Sequence, residues 1–251
     1  VKEREYRSFY DRVGLLNGWN FSRLQVSVTG ETWDYAEEVK NRCVKTDIVL
    51  DLGTGGGERI LPLADEVMLV IGIDRSAGMI ATAERNAVES GKRNVRFHRM
   101  EAERLTFPDG FFDVVCARHA PFDAREAARV LKKGGRLVTQ QVGEADKANV
   151  KRAFGRGQHD GVEDGSGMRE YIARLEEAGF TRIDAREYDA VETYRTVEDL
   201  IFLLKHTPIV PDFGRTDDDF RRLDAFVREF GGPDGIRTNA KRYFIAAVKE
   251  A

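Results

Sequence analysis

Asp51, Gly53, Thr54, Gly55, Gly57 and Glu58 crowd into the short stretch DLGTGGGE. Four glycines within five residues let the backbone turn tightly and let a ligand come close without meeting a side chain. Carboxylates flank them on both sides. The apolar run Ile48-Val49-Leu50 comes just before, so the loop begins where a buried strand ends. Such a loop suits a nucleotide phosphate, a nucleoside, or a tight turn with no ligand.

Spacing separates these uses. A phosphate-binding GxxxxGK[ST] loop needs Lys-Ser or Lys-Thr after the glycines, and none follows. A dinucleotide GxGxxG register fails from Gly53, whose third position is Glu58, and from Gly55, whose third position is Ile60. Glu58 would also repel a pyrophosphate at a helix N-terminus. What fits is a nucleoside cofactor without phosphates that carries positive charge, as S-adenosylmethionine does. Asp51 and Glu58 would favour its ammonium and sulfonium groups. Asp74 ends the next apolar run, VMLVIGID, where a carboxylate can accept from both ribose hydroxyls. Glu101-Ala102-Glu103 follows a third strand at the same edge, within reach of an adenine.

These residues need a frame, and the chain supplies one. The runs TDIVLDLG, VMLVIGID, NVRFHRM, FFDVVCAR and GRLVTQQV read as buried strands. Between them ERILPLADE, SAGMIATAERNAVESG and DAREAARVLKKGG read as helices, the last ended by paired glycines. MREYIARLEEAGF is an amphipathic helix and TRIDAREYDAVETY a sixth strand; RYFIAAVKE is the last. The rhythm predicts an α/β fold: a Rossmann-like doubly wound seven-stranded sheet, mostly parallel with an antiparallel last strand. A single domain over 1–251 is expected. It has a helical N-terminal segment at 1–45, the core at 46–194 and 236–251, and a helical cap inserted at 195–235. Tyr6, Phe9, Tyr10, Trp19 and Phe21 make the N-terminal segment aromatic. Tyr6, Tyr10, Trp19 and Phe21 read either as a seam against the core or as a wall of the acceptor pocket.

Four stretches together resemble the class I S-adenosylmethionine-dependent methyltransferases. VLDLGTGGGE is similar to the family's glycine-rich motif and GIDRSAGMI to its ribose-acid motif. MEAERLTFPDGFFDVV is similar to the adenine loop and fourth strand, and EAARVLKKGGRLV to the helix leading into the fifth. The resemblance spans roughly 48–142, with the motifs in family order. It implies that Gly53, Gly55 and Gly57 line the methionine part of the cofactor. It implies that Asp74 binds ribose, with Arg75, Ser76 and Met79 beside the adenosine. Glu101, Ala102 and Glu103 lie by the adenine, and Arg118 beside the cofactor. The family commonly has Asp-Ala-Glu where this chain has Glu101-Ala102-Glu103, which moves weight onto the Ala102 amide. The segment after the fourth strand is shorter than the family's.

His119, just past that strand, reads as a general base for an oxygen or nitrogen acceptor, or as a loop histidine against Pro121 and Phe122. His98 reads as structural. His159 lies in a glycine-rich loop. His206 reads as a substrate contact from the cap or as a helix-end residue meeting terminal carbonyls. The order Arg118-His119-Ala120-Pro121-Phe122 departs from the [N/D]PP[Y/F] segment of nucleic-acid amino-methylating enzymes, and Cys116 lies within a strand rather than a Pro-Cys loop. The expected acceptor is a small molecule.

Bulk properties agree. The formal net charge is -3, from 40 basic and 43 acidic side chains, so duplex nucleic acid is not an expected partner. An RNA methyltransferase would need a local patch such as Arg221, Arg222 and Arg228. Two further rival readings are an NAD-dependent dehydrogenase and a non-catalytic S-adenosylmethionine sensor. Two distant cysteines make neither a disulfide framework nor a zinc site, and no metal is expected. The charged start VKEREYRSFYDR is unlike a signal peptide, and no apolar run reaches the ~18 residues of a membrane span. A cytoplasmic location is expected.

Overall fold

The computed structural model describes residues 24–250. The aromatic residues Tyr6, Phe9, Tyr10, Trp19 and Phe21 lie outside them. The described residues hold nine strands: β1 (Val26–Thr29), β2 (Ile48–Leu52), β3 (Leu69–Asp74), β4 (Val95–Arg99), β5 (Phe112–Arg118), β6 (Leu131–Val142), β7 (Phe180–Tyr194), β8 (Gly231–Gly232) and β9 (Gly235–Lys249). All join one sheet, ordered β1-β7-β9-β6-β5-β2-β3-β4, with the two-residue β8 paired to β9. From β4 to β6 every pairing is parallel, while β9 runs antiparallel to both β6 and β7.

The contiguous apolar runs make buried strands because both faces of the sheet are covered. Val49, Val70, Val114, Cys116 and Val138 enter one core. Their neighbours Leu50, Ile71, Val115, Ala117 and Leu137 enter the other. The helix α2 (Ala77–Ser90) packs Ile80 and Ala83 against the first core. The helices α3 (Ala124–Val130) and α5 (Ser166–Glu177) cover the second through Ala127 and Leu175. This is the expected doubly wound arrangement. The strand order reverses between β2 and β5, and in open parallel sheets that reversal leaves a crevice at the carboxyl edge.

A third apolar cluster stands apart from the sheet cores. The helices α6 (Val197–His206) and α7 (Asp217–Phe230) supply Leu200, Leu203, Leu223 and Phe226, and α4 (Ala148–Phe154) adds Val150 and Phe154. Long strands carry this cluster: β7 and β9 stay paired from Phe180↔Lys249 to Tyr194↔Ile236.

Several local expectations are corrected. Within the segment expected to be helical, Val26–Thr29 instead forms the edge strand β1 beside β7, and only α1 (Tyr35–Lys40) is helical among its described residues. Val26, Val28 and Thr29 are β-branched and favour a pleated edge. The sheet therefore has more than seven strands. ERILPLADE makes only a 3₁₀ turn at Leu61–Asp65, with Pro62 near its start. The helix DAREAARVLKKGG stops at Val130, and Leu131 already belongs to β6. The last strand begins at Gly235, ahead of RYFIAAVKE.

Candidate active site

The glycine loop closes directly over the carboxyl end of β2. Gly53, Gly55 and Gly57 have φ of 72°, 57° and 78°, the left-handed region that side chains disfavour. A Cβ at Gly53 would come 2.3 Å from the Ala120 Cβ, so the loops after β2 and β5 touch at the switch point. Asp74, at the end of β3, pins the turn: one carboxylate oxygen accepts from Gly55 N–H at 3.0 Å and the other from Ser76 N–H at 2.8 Å. Thr54 N–H donates to the Ile73 carbonyl at 2.8 Å. Ser76 caps α2 by accepting from Met79 N–H at 3.2 Å, and both residues are buried.

The acids around this turn pay for their placement with raised pKa values. Asp51 is buried beneath it, and burial pushes its carboxyl up to about 6 while the Cys116 thiol donates to it at 3.4 Å. Burial likewise raises Glu58. Glu58 folds back over Gly56, where a Cβ would lie 2.4 Å from its Oε1. Among the described residues that buried oxygen has no hydrogen-bond partner. An orphan carboxylate oxygen beside a glycine cradle is a place for a cationic donor and a poor one for a phosphate. The donor set thus fits the ammonium and sulfonium of S-adenosylmethionine. Glu101, Ala102 and Glu103 follow β4 on a turn at the same edge, with both glutamates exposed. Arg75 is half-buried next to Asp74.

The opposite wall comes from the end of β5. His119 has φ of 54°, and its N–H donates to the Gln140 carbonyl on β6 at 2.8 Å. Its Nε2 lies 3.1 Å from Gln140 Nε2, while Gln140 Oε1 accepts from Trp33 Nε1–H at 2.7 Å. His119 as a residue is exposed. Partial desolvation of this exposed residue, and then the cations Arg118, Arg242, Arg59 and Lys147, lower its pKa from the ordinary histidine range. Arg118 is half-buried, and burial followed by Arg59 lowers its own pKa. Among the described residues no carboxylate lies within ion-pair distance of Arg118.

Behind this wall sits a buried charge network. Lys147 Nζ meets Glu192 Oε2 at 2.9 Å, and Arg242 Nη1 meets Asp146 Oδ1 at 2.5 Å. The Tyr194 hydroxyl donates to Glu192. Other candidates fall elsewhere. His206 Nδ1 bonds the Phe202 carbonyl of its own helix at 2.7 Å and stacks on the Phe202 ring. His159 is exposed in its loop and His98 is exposed on β4. Arg221 and Arg222 both pair with Asp218, so they do not form a free basic patch. Among the described residues no group of three or more His, Cys, Asp or Glu could hold a metal ion. No described helix is long and apolar enough to cross a membrane.

Sequence reasoning passed over Trp33, Gln140, Gln141 and Arg242. The signal was present in VTQQV: two amides inside a buried strand demand partners. Gln141 Nε2 meets that demand on the Ala120 carbonyl at 2.8 Å, holding the loop that carries His119.

A family model described as a methyltransferase domain matches residues 49–135. The uncharacterized methyltransferase YcgJ of Bacillus subtilis is 40% identical over 97 residues, covering 36% of this chain and 38% of that protein. Aklanonic acid methyltransferase DauC of a Streptomyces species is 36% identical over 145 residues, covering 52% and 59%. The chain thus spans less than two thirds of the length of these relatives. The crystal structure of YcgJ superposes with a TM-score of 0.61 at 23% identity, covering 86% of this chain and 98% of that one. The [4+2]-cyclase SpnF gives 0.65 at 20% identity, covering 100% and 98%. At such identities the structural likeness concerns the fold alone, and one fold carries many reactions.

Proposed function

We propose that the chain, as its likeness to the class I S-adenosylmethionine-dependent methyltransferases supports, transfers a methyl group from S-adenosylmethionine to an oxygen or nitrogen atom of a small molecule. The observation that carries this reading is the glycine turn itself. Its amide is pinned by Asp74, and its rim holds the orphan oxygen of Glu58. Asp74 would use its remaining lone pairs on the ribose hydroxyls. Asp51 and Glu58 would face the cationic end, and the Glu101–Glu103 turn the adenine. When bound there, the cofactor supplies a methyl on a sulfonium, already activated for in-line displacement. The protein's task is then to hold the acceptor behind that methyl and exclude water, and placement of this kind is worth ~7–11 kcal/mol.

A relative named for aklanonic acid supports a small-molecule acceptor. The pairing of Arg221 and Arg222 with Asp218 weighs against RNA. Calorimetry with S-adenosylhomocysteine tests the cofactor assignment. Wild type is expected to bind. Asp74→Ala, which removes both the ribose acceptor and the clamp on Gly55, is expected to bind at least tenfold more weakly, about 1.4 kcal/mol. Absence of binding to wild type would sink the reading.

A further inference from the structure

We propose that the acceptor enters this site as an organic anion, through an ionised oxygen, and that His119 and Arg118 receive it as hydrogen-bond donors. The inference rests on the methyltransferase reading and adds the acceptor's charge state. It starts at Trp33. An indole N–H can only donate. Its 2.7 Å contact therefore turns the oxygen of the Gln140 amide toward Trp33 and the NH₂ toward His119. An amide NH₂ also only donates, so His119 Nε2 must be the accepting, unprotonated nitrogen. The imidazole proton then sits on Nδ1. One ring nitrogen is spent on Gln140, and the other offers N–H to whatever lies beside it.

A second proton on this ring would set Nε2–H against the Gln140 N–H. Partial desolvation of this exposed ring and the cations Arg118, Arg242, Arg59 and Lys147 oppose it as well. His119 is thus wired as a neutral donor, not as a base. Three acids on the His119 side of the site are committed elsewhere. Asp51 takes the Cys116 thiol beneath the glycine turn, and Glu192 and Asp146 take Lys147 and Arg242. The Tyr35 hydroxyl donates to the Val138 carbonyl at 3.3 Å. Arg118 is the contrasting case: a half-buried guanidinium beside His119 with no carboxylate at contact among the described residues. A half-buried cation without a partner favours an incoming anion.

The chemistry closes without a base. An oxygen that is already ionised uses its own electron pair to bond the methyl carbon. The carbon–sulfur pair returns to sulfur, and no proton has to leave. An anion and a sulfonium become an ester or ether and a neutral thioether.

Long-range proton–nitrogen NMR on the ¹⁵N-labelled full chain reads the tautomer, with His119→Gln assigning its signals among the four histidines. The expected result at pH 7 is the Nδ1–H tautomer; Nε2–H or an imidazolium overturns the proposal. In Gln140→Glu a carboxylate oxygen should face Nε2 and draw a proton onto it, and an unchanged ring would also overturn it. This measurement needs no cofactor, so it stands apart from the methyltransferase reading, which the calorimetry decides. Benzoate and benzamide, equal in shape and unequal in charge, probe the subsite in protein with S-adenosylhomocysteine added. Benzoate is expected to shift the His119 signals saturably and benzamide at least tenfold more weakly. Equal responses, or none to benzoate, overturn the anionic acceptor. Arg118→Gln should weaken benzoate more than S-adenosylhomocysteine. The reverse order assigns the guanidinium to the cofactor carboxylate and overturns its role here.

Discussion

Asp51 shows how a single residue can trade stability for a site. It is buried, and burial pushes its carboxyl to about 6. The ordinary value is near 3.9, so the folded protein holds this proton more tightly than the unfolded chain. The sign follows: stability falls as pH rises from about 4 to about 6, and the cost is complete above that window. The gap corresponds to about 3 kcal/mol. Asp51→Asn should therefore raise the midpoint of thermal unfolding above pH 6 and flatten the pH dependence between 4 and 6. A scan of both proteins from pH 4 to 8 checks it. On the proposed placement of the cofactor, the same variant should bind S-adenosylmethionine more weakly, because it removes a negative charge from the end that would receive the sulfonium and ammonium. A gain in stability with a loss of binding is the usual pattern where a site is held under strain.

At the scale of elements, the helix α6 depends on its first turn. Thr196 and Asp199 form a reciprocal capping box, in which Asp199 N–H donates to Thr196 Oγ1 at 3.2 Å and Thr196 N–H to Asp199 Oδ2 at 3.2 Å. Asp199 Oδ1 also accepts from Gln25 N–H at 3.1 Å, tying the helix to the residue before β1. Thr196→Ala should cost about 1 kcal/mol, as caps do. Asp199→Ala should cost more, since the Gln25 link goes with it. Denaturant unfolding orders the two, and hydrogen exchange should show the first turn of α6 opening while β2 and β5 stay protected. Equal costs would remove the Gln25 link from the account. The elements that sequence reading misplaced share a cause. β1 is short and lies at an edge, and the 3₁₀ turn follows a glycine loop, so neighbours rather than local pattern decide both.

Over the whole molecule, four charges, two buried and two largely so, join the sheet to the helical cluster. Lys147 follows β6, Glu192 lies on β7 and Arg242 on β9, with Asp146 between them. Lys147 is 2% exposed and also donates to the Asn239 carbonyl at 2.9 Å. Removing one member leaves the others buried and unbalanced, which costs about 3–5 kcal/mol. Lys147→Met should lose stability on that scale, with little dependence on salt because the site is shielded from it. Denaturant titrations in about 0.05 M and about 1 M salt measure both. A cost under ~1 kcal/mol, as for surface pairs, would show that the network is solvated.

The sequence alone determined the alternating strands, the glycine turn after β2 and the acid ending β3, and from these came the cofactor proposed for the site. Each is local: a contiguous apolar run and a glycine-rich turn are read within a dozen residues. His119 was visible as a residue, but its protonation was not. That depends on Trp33 and Gln140, which lie 107 positions apart and meet only when the loop before α1 folds over β6. That Arg118 meets no carboxylate among the described residues was hidden for the same reason, since a charge has a partner only in three dimensions. Periodicity shows which face a residue takes; the hydrogen bonds that set its proton belong to contacts made by the fold.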